Sequence, residues 1–288
     1  MKLKDIKMRD PYILRDDRTK MYYLYGTTDF YDGRGFYAYR SADLEDWEGK
    51  YPVFMPSSDF WGTRDYWAPE VHFYRGKYYM IATFKGEHHH RCCQILSSDH
   101  PLGPFVVHSD EVTPKDWESL DGTLYVEKET PYLIFVHEWT QIGDGEVCAV
   151  ELSSDLSCAC GKPKTLFKAS EAPWSSKPDW AEKNIRVADG PFIVDEDGEP
   201  FILWSSYLEK TYDIGFSYPE KGILDPCYAH SEKPLPLKDA GHGMIFSDFC
   251  GRRFLVLHAD NGTAGKEHPM LVPVKIGEYS IEIEGGIE

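Results

Sequence analysis

One short phrase recurs five times along these 288 residues, and it limits the chain to very few architectures. Its first copy, Arg9-Asp10-Pro11-Tyr12-Ile13-Leu14, ends in the turn-forming residues 15–20 and is answered by a second apolar run, Met21-Tyr22-Tyr23-Leu24-Tyr25. That is the pattern of a β-hairpin. The second copy joins Ala68-Pro69-Glu70-Val71-His72-Phe73 to Lys77-Tyr78-Tyr79-Met80-Ile81, and the third joins Asp121-Gly122-Thr123-Leu124-Tyr125 to Pro131-Tyr132-Leu133-Ile134-Phe135. Two more complete the series: Asp189-Gly190-Pro191-Phe192-Ile193 with Pro200-Phe201-Ile202-Leu203-Trp204, and His242-Gly243-Met244-Ile245-Phe246 with Arg253-Phe254-Leu255-Val256-Leu257. The intervals, roughly 55 to 65 residues, lie near the range in which repeats mean propeller blades or solenoids.

Further strand-like runs follow each hairpin. Gly35-Phe36-Tyr37-Ala38-Tyr39-Arg40-Ser41 follows the first, Cys93-Gln94-Ile95-Leu96-Ser97-Ser98 the second and Val147-Cys148-Ala149-Val150-Glu151-Leu152-Ser153 the third, with Asp213-Ile214-Gly215-Phe216-Ser217 and Leu271-Val272-Pro273-Val274-Lys275-Ile276 in the last two. Four strands per repeat is the blade of a propeller. A β-sandwich, the other all-β architecture open to such a chain, gives no reason to repeat one phrase five times. No long segment carries the 3.6-residue apolar period of a helix, and a hydrophobic content of 42% suffices for a large core. The prediction is an all-β, five-bladed β-propeller with four antiparallel strands per blade, residues 1–288 forming a single domain. Residues 169–184, rich in Pro, Trp, Ser and Lys, read as a long inter-blade loop, and its Trp174 and Trp180 are suited to covering a ligand site.

In a propeller the first strand of every blade runs beside the central channel, so the five equivalent first residues, Asp10, Ala68, Asp121, Asp189 and His242, converge at one end of it. Single aspartates cap turns routinely. Three carboxylates and an imidazole in one ring are costly, because like charges in a poorly solvated channel lose hydration and raise one another's pKa, and the cost points to a use. Antiparallel pairing returns the ends of the second strands to the same face: Thr27-Thr28-Asp29, Lys85-Gly86-Glu87-His88, His137-Glu138-Trp139, Ser205-Ser206-Tyr207 and His258-Ala259-Asp260. Aromatic platforms beside polar groups suit sugar rings, which have an apolar face and a polar edge. Trp67, Trp61, Trp139 and Tyr207 are the candidate platforms, with His137 and Arg9 as polar neighbours that would bind substrate.

Charge narrows the ligand. A formal net charge of −17 disfavours nucleic acid and anionic membrane surfaces, and nowhere do 18 apolar residues stand together. The first eight residues lack the apolar core of a signal peptide, and seven scattered cysteines suit reduced thiols, so the expected location is cytoplasmic. Cys158-Ala159-Cys160 lacks zinc-site spacing, and His88-His89-His90, being adjacent, point in different directions.

At these residues the chain resembles glycoside hydrolase family 43, the five-bladed propeller arabinofuranosidases and xylosidases. Arg9-Asp10-Pro11-Tyr12 is similar to the family's catalytic-base motif, Tyr66-Trp67-Ala68-Pro69-Glu70 to its second-blade tryptophan motif, Asp121-Gly122-Thr123-Leu124 to the segment whose aspartate tunes the acid, and Gly241-His242-Gly243-Met244-Ile245-Phe246 to its central histidine segment. The resemblance implies an inverting glycosidase that releases a pentose, α-L-arabinofuranose or β-D-xylose, from small oligosaccharides. Asp10 would be the general base, Asp121 the neighbour that keeps the acid protonated, and His242 the place in the channel for a water or a structural divalent cation such as calcium; no cofactor is required. A carbohydrate-binding propeller without activity is the alternative. One position departs from the family: Asp189-Gly190-Pro191 stands where Glu-Gly-Pro, bearing the general acid, is usual. Either Asp189 acts despite being a methylene shorter, or a longer carboxylate of the same face, Glu138 ahead of Glu87, takes its place.

Overall fold

Five four-stranded antiparallel sheets, each built from consecutive strands, make up the computed structural model, which describes residues 1–28, 33–195, 198–261 and 265–284. Blade one holds β1 (Arg9–Asp16), β2 (Met21–Thr27), β3 (Phe36–Ser41) and β4 (Glu48–Phe54), and blade two β5 (Arg64–Tyr74), β6 (Lys77–Lys85), β7 (Cys92–Ser98) and β8 (Val106–Glu111). Blade three holds β9 (Ser119–Glu127), β10 (Thr130–His137), β11 (Glu146–Leu152) and β12 (Ala159–Lys168), and blade four β13 (Asp189–Val194), β14 (Phe201–Leu208), β15 (Thr211–Pro219) and β16 (Tyr228–His230). Blade five is β17 (Gly241–Ser247), β18 (Arg253–Ala259), β19 (His268–Gly277) and β20 (Ser280–Ile283). The first strands touch in a ring, β1 with β5, β5 with β9, β9 with β13, β13 with β17 and β17 with β1. This is the propeller that the repeated phrase predicts.

Among the described residues no strand is exchanged between the first and last blades, so other contacts hold the ring shut. Met8 N–H donates to Glu267 O at 3.0 Å, Phe249 N–H to the Tyr22 hydroxyl at 2.9 Å and Arg15 Nη1 to Ser247 O at 3.3 Å. Between blades one and two the core is aromatic: Phe36, Phe54, Phe60, Tyr66 and Phe84 meet edge-to-face and tilted, Phe60 and Phe84 at 5.1 Å between centroids. Such pairs contribute roughly 0.5–1.5 kcal/mol each beyond their burial. No helix among the described residues is long and apolar enough to cross a membrane.

Every inner strand carries the same interruption near its start. Pairing with the second strand jumps from Arg9 to Tyr12, Trp67 to Glu70, Leu120 to Thr123, Asp189 to Phe192 and Gly241 to Met244. The residue just inside each gap is left-handed: Asp10, Ala68, Asp121, Gly190 and His242, with φ between 45° and 55°. Asp189 is therefore not the equivalent of Asp10 and Asp121. Gly190 holds that slot, and Asp189 stands one residue earlier, level with Arg9, Trp67, Leu120 and Gly241. A left-handed non-glycine costs about 1–2 kcal/mol, and such strain persists where the surroundings fix it. At Gly190 a side chain has no room, since a Cβ would stand 2.7 Å from the His242 ring.

The surroundings that fix these residues are hydrogen bonds from blade to blade. Ala68 N–H donates to Thr27 Oγ1 (2.8 Å), Asp121 N–H to Thr83 Oγ1 (3.0 Å), His242 N–H to Ser205 Oγ (2.8 Å) and Asp10 N–H to His258 Nδ1 (3.2 Å). Each acceptor belongs to the second strand of the preceding blade. The third blade has Val136 at that level, paired with Leu120, and valine offers no acceptor. There Gly190 N–H donates to Asp121 Oδ2 instead, at 2.9 Å.

Candidate active site

The ring opens at one end into a cavity of about 140 Å³. Asp10, Asp121, Asp189 and Glu138 all line it, with Arg9, Trp67, Trp139 and His242 in its walls. Larger clefts on the outer blades, of about 300 and 540 Å³, gather no comparable set of carboxylates.

Asp10 is built to stay ionised. Burial alone would raise its carboxyl, but His242 and Arg9 beside it and a hydrogen bond from Thr27 Oγ1 (2.6 Å) to Oδ2 outweigh burial and hold it below the usual carboxylate value. His242 Nδ1 faces Oδ1 at 3.2 Å. His258 accepts from Asp10 N–H through Nδ1, so its proton is on Nε2, which donates to Asn261 Oδ1 at 3.1 Å; burial presses this imidazole down to about 3. Asn261 Oδ1 also accepts from Arg9 Nη2 at 3.2 Å, tying the arginine into the same network.

The other two aspartates are pushed the opposite way. Burial first, then the charge of Asp10, raises Asp121 well above the ordinary value, and burial followed by the charge of Asp121 raises Asp189 to about 7. Three carboxyls around one small cavity cannot all be ionised cheaply, and their protons come off as a coupled set. Asp189 Oδ2 also accepts a hydrogen bond from the Tyr212 hydroxyl at 3.1 Å.

Glu138 is held differently. Its Oε2 is paired with Arg91 Nη1 and accepts from Thr140 Oγ1 at 2.7 Å. Arg91 is itself fixed by Asp65 (2.9 Å) and Glu118 (3.5 Å), and its guanidinium lies 4.6 Å from the Trp67 ring centroid. Burial raises Glu138 more than Arg91 lowers it. The carboxylate is nonetheless committed to a guanidinium, whereas Asp189 is bonded to a neutral phenol.

Several expected groups lie elsewhere. Alternate residues of a strand face opposite sides, and His137 turns away from the cavity to stack flat on Trp117 (3.9 Å, 8°) and to meet Gln141 Oε1 at 2.9 Å. Tyr207 stands behind the wall, against Tyr212 (5.3 Å) and Trp180 (5.6 Å). Trp61 packs on Phe60 and Phe84 and donates to Gln94 Oε1 at 2.8 Å. In the inter-blade segment Trp174 is core, 4.8 Å from Trp204, while exposed Trp180 leans on Trp139 at 5.7 Å and so does extend the wall of the site. His89 and His90 pair with Glu111 and Glu118 away from the cavity, Glu87 is exposed, and Asp29 lies outside the described residues.

Among the described residues no group of three His, Cys, Asp or Glu side chains is arranged to hold a metal ion, and His242 Nδ1 faces Asp10 Oδ1 at 3.2 Å and Asp121 Oδ2 at 3.8 Å. Two groups escaped the sequence reading, Tyr212 and Arg91. Both lie at or just before third strands, outside the repeated phrase; the only available signal was that a third strand starts on the face where the second ends.

Comparison with known proteins agrees with this geometry. The family model described as "Glycosyl hydrolases family 43" matches residues 4–278. "Xylosidase/arabinosidase" of Bacteroides ovatus is 26% identical, covering 90% of this chain and 84% of its own, and "Alpha-L-arabinofuranosidase 43" of Humicola insolens is 23% identical over 70% of this chain. The match spans only 44% of the Humicola protein. Among solved structures, an endo-arabinase from Bacteroides thetaiotaomicron superposes with a TM-score of 0.90 at 38% identity, covering 96% of this chain and 98% of that one.

Proposed function

The chain belongs to glycosyl hydrolase family 43, and from that premise we propose that it is an inverting, exo-acting glycosidase. Members of the family need no cofactor, and its relatives act as arabinofuranosidases and xylosidases. In our reading it removes one pentose, α-L-arabinofuranose or β-D-xylose, from the end of a short oligosaccharide, with the five blades working as one catalytic domain. The observation that carries this is the gathering of Asp10, Asp121, Glu138 and Asp189 around one cavity, in surroundings that hold Asp10 down and raise Asp189 to about 7. Groups pushed apart in this way supply a base and an acid at the same pH.

Asp10 takes the proton of a water as it attacks the anomeric carbon, and Asp189 supplies the proton that the leaving oxygen needs. Asp121 serves the acid through the Gly190 amide and, when ionised, by its charge. Trp67 and Trp139 offer apolar faces to the sugar, and Glu138, fixed by Arg91, accepts from a substrate hydroxyl. The likeness to an arabinofuranosidase and to a xylosidase/arabinosidase favours exo action, and the cavity of about 140 Å³ beside the carboxyls is where the terminal ring would sit. Seven free thiols support a reducing, cytoplasmic setting; recovery of the protein outside the cell would contradict it.

A panel of nitrophenyl glycosides followed by arabino- and xylo-oligosaccharides tests the proposal. Monosaccharide as the first product is the expected result. The likeness to the endo-arabinase favours a second reading, internal cleavage of arabinan, and a ladder of oligosaccharides as first products would decide for it.

A further inference from the structure

Asp189 has a single methylene between backbone and carboxyl, and its Oδ2 accepts a hydrogen bond from the Tyr212 hydroxyl at 3.1 Å. Tyr212 comes from the start of β15, opposite Tyr207 in the hairpin, and lines the same cavity. Its ring is held on three sides. It lies nearly parallel to His258 (5.7 Å, 17°), packs on Tyr207 and closes over Gly241, where a Cβ would stand 2.6 Å from its Cε1. The hydroxyl is thus held at one fixed point beside Asp189 in the wall of the same cavity.

A phenol is donor and acceptor at once, so it can receive a proton from a carboxylic acid while giving its own to another oxygen. Burial, then the charge of Asp189, keeps Tyr212 well above the usual phenol pKa, so it remains a neutral O–H. The hydrogen bond has two directions. When Asp189 is ionised the phenol donates to it; when Asp189 is protonated the carboxyl O–H can donate to the phenol oxygen, which frees the phenol O–H for the cavity.

We propose that Tyr212 is a catalytic residue that relays the proton of Asp189 to the leaving oxygen. This rests on the assignment of Asp189 as the acid. In the step, the bond from the anomeric carbon to the leaving oxygen breaks as that oxygen takes the Tyr212 proton, Tyr212 takes the Asp189 proton, and water adds to the carbon while Asp10 takes the water's proton. Asp189 ends ionised, Asp10 ends protonated, Tyr212 is unchanged, and one water is consumed.

The test compares an activated dinitrophenyl glycoside with an unactivated one, such as a methyl glycoside or a disaccharide, in Tyr212→Phe, Asp189→Glu and the double variant. Tyr212→Phe keeps the ring and its packing. It should lose on the order of 100-fold in kcat/KM on the unactivated substrate and little on the activated one. Asp189→Glu, whose carboxyl reaches further, should restore most of the loss in the Tyr212→Phe background; since the double variant keeps Phe at 212, recovery excludes misfolding as the cause. Equal losses on both substrates, or no rescue by glutamate, overturns the relay and leaves the phenol a positioning group. The acid assignment fails separately: if Glu138→Gln carries the leaving-group dependence and Asp189→Asn does not, Asp189 is not the acid and the relay falls with it.

Discussion

The amide of Gly190 donates to the carboxylate of Asp121 across the boundary between the third and fourth blades, at 2.9 Å. Four of the five equivalent amides bond to a side chain on the second strand of the preceding blade, and this one cannot because Val136 is there. Asp121→Asn keeps an acceptor and should be nearly as stable as the parent. Asp121→Ala strands a buried amide and should cost about 1–3 kcal/mol. Val136→Thr supplies the missing hydroxyl, so it should destabilise the parent yet stabilise Asp121→Ala. Denaturant unfolding of this cycle gives the coupling; additive effects would show that Gly190 does not depend on Asp121.

Activity should follow a bell-shaped pH profile. The base must be ionised, and Asp10, held below its ordinary value by His242 and Arg9, puts the acidic limb below the ordinary carboxylate range. The acid must be protonated, and Asp189 puts the basic limb near pH 7. In Asp189→Asn, assayed with an activated substrate, the basic limb should vanish. In Tyr212→Phe it should move up, because the phenol's hydrogen bond favours the ionised carboxylate. A basic limb that persists unchanged in Asp189→Asn would assign it to another group.

Stability has its own pH signature. Asp189 is near 7 when folded and roughly 3.9 when unfolded, so between those values the native state binds the extra proton and stability falls as pH rises. His258, about 3 when folded against an ordinary 6.5, acts in the opposite sense from about pH 3 to 6.5, so the parent's curve alone conceals the effect. The difference between Asp189→Asn and the parent isolates it. The variant should gain on the parent between pH 4 and 7 by up to about 4 kcal/mol, at about 1.4 kcal/mol per pH unit, less what water in the open cavity screens. A difference that stays flat with pH would show that Asp189 titrates normally.

Arg91 faces Asp65, Glu118 and Glu138 while lying against Trp67. Arg91→Met should cost about 3–5 kcal/mol by leaving buried carboxylates without their cation, and adding Glu138→Gln should recover part of it. A loss of less than about 1 kcal/mol, a value typical of exposed pairs, would mean that water replaces the guanidinium.

The repeated hairpin made the blades readable because each copy's second strand is an apolar run with at least four consecutive buried residues, and the ring position of Asp10 and Asp121 followed from strand order alone. The frame of the fourth copy did not. Asp189-Gly190 matches Asp121-Gly122 by composition, but the residues that share a backbone slot are those before Pro11, Pro69, Gly122, Pro191 and Gly243. Only the two-residue break in pairing reveals it. Asp189 still reaches the cavity, because the level of Arg9 and Trp67 faces the cavity too. His137 was misplaced because adjacent residues along a strand face opposite sides, so it cannot share the cavity with its neighbour Glu138, and Tyr212 and Arg91 were invisible because they belong to no repeat.

The central claim is that Asp10 activates a water on the face of the sugar opposite the departing group. Proton NMR of the first-formed sugar, recorded before mutarotation, tests it most directly on whichever nitrophenyl pentoside is turned over. The account predicts the inverted anomer as the initial product, and with Asp10→Asn a fall in turnover of about 100-fold or more on the same substrate. A retained anomer, or an Asp10→Asn variant as fast as the parent, would contradict it.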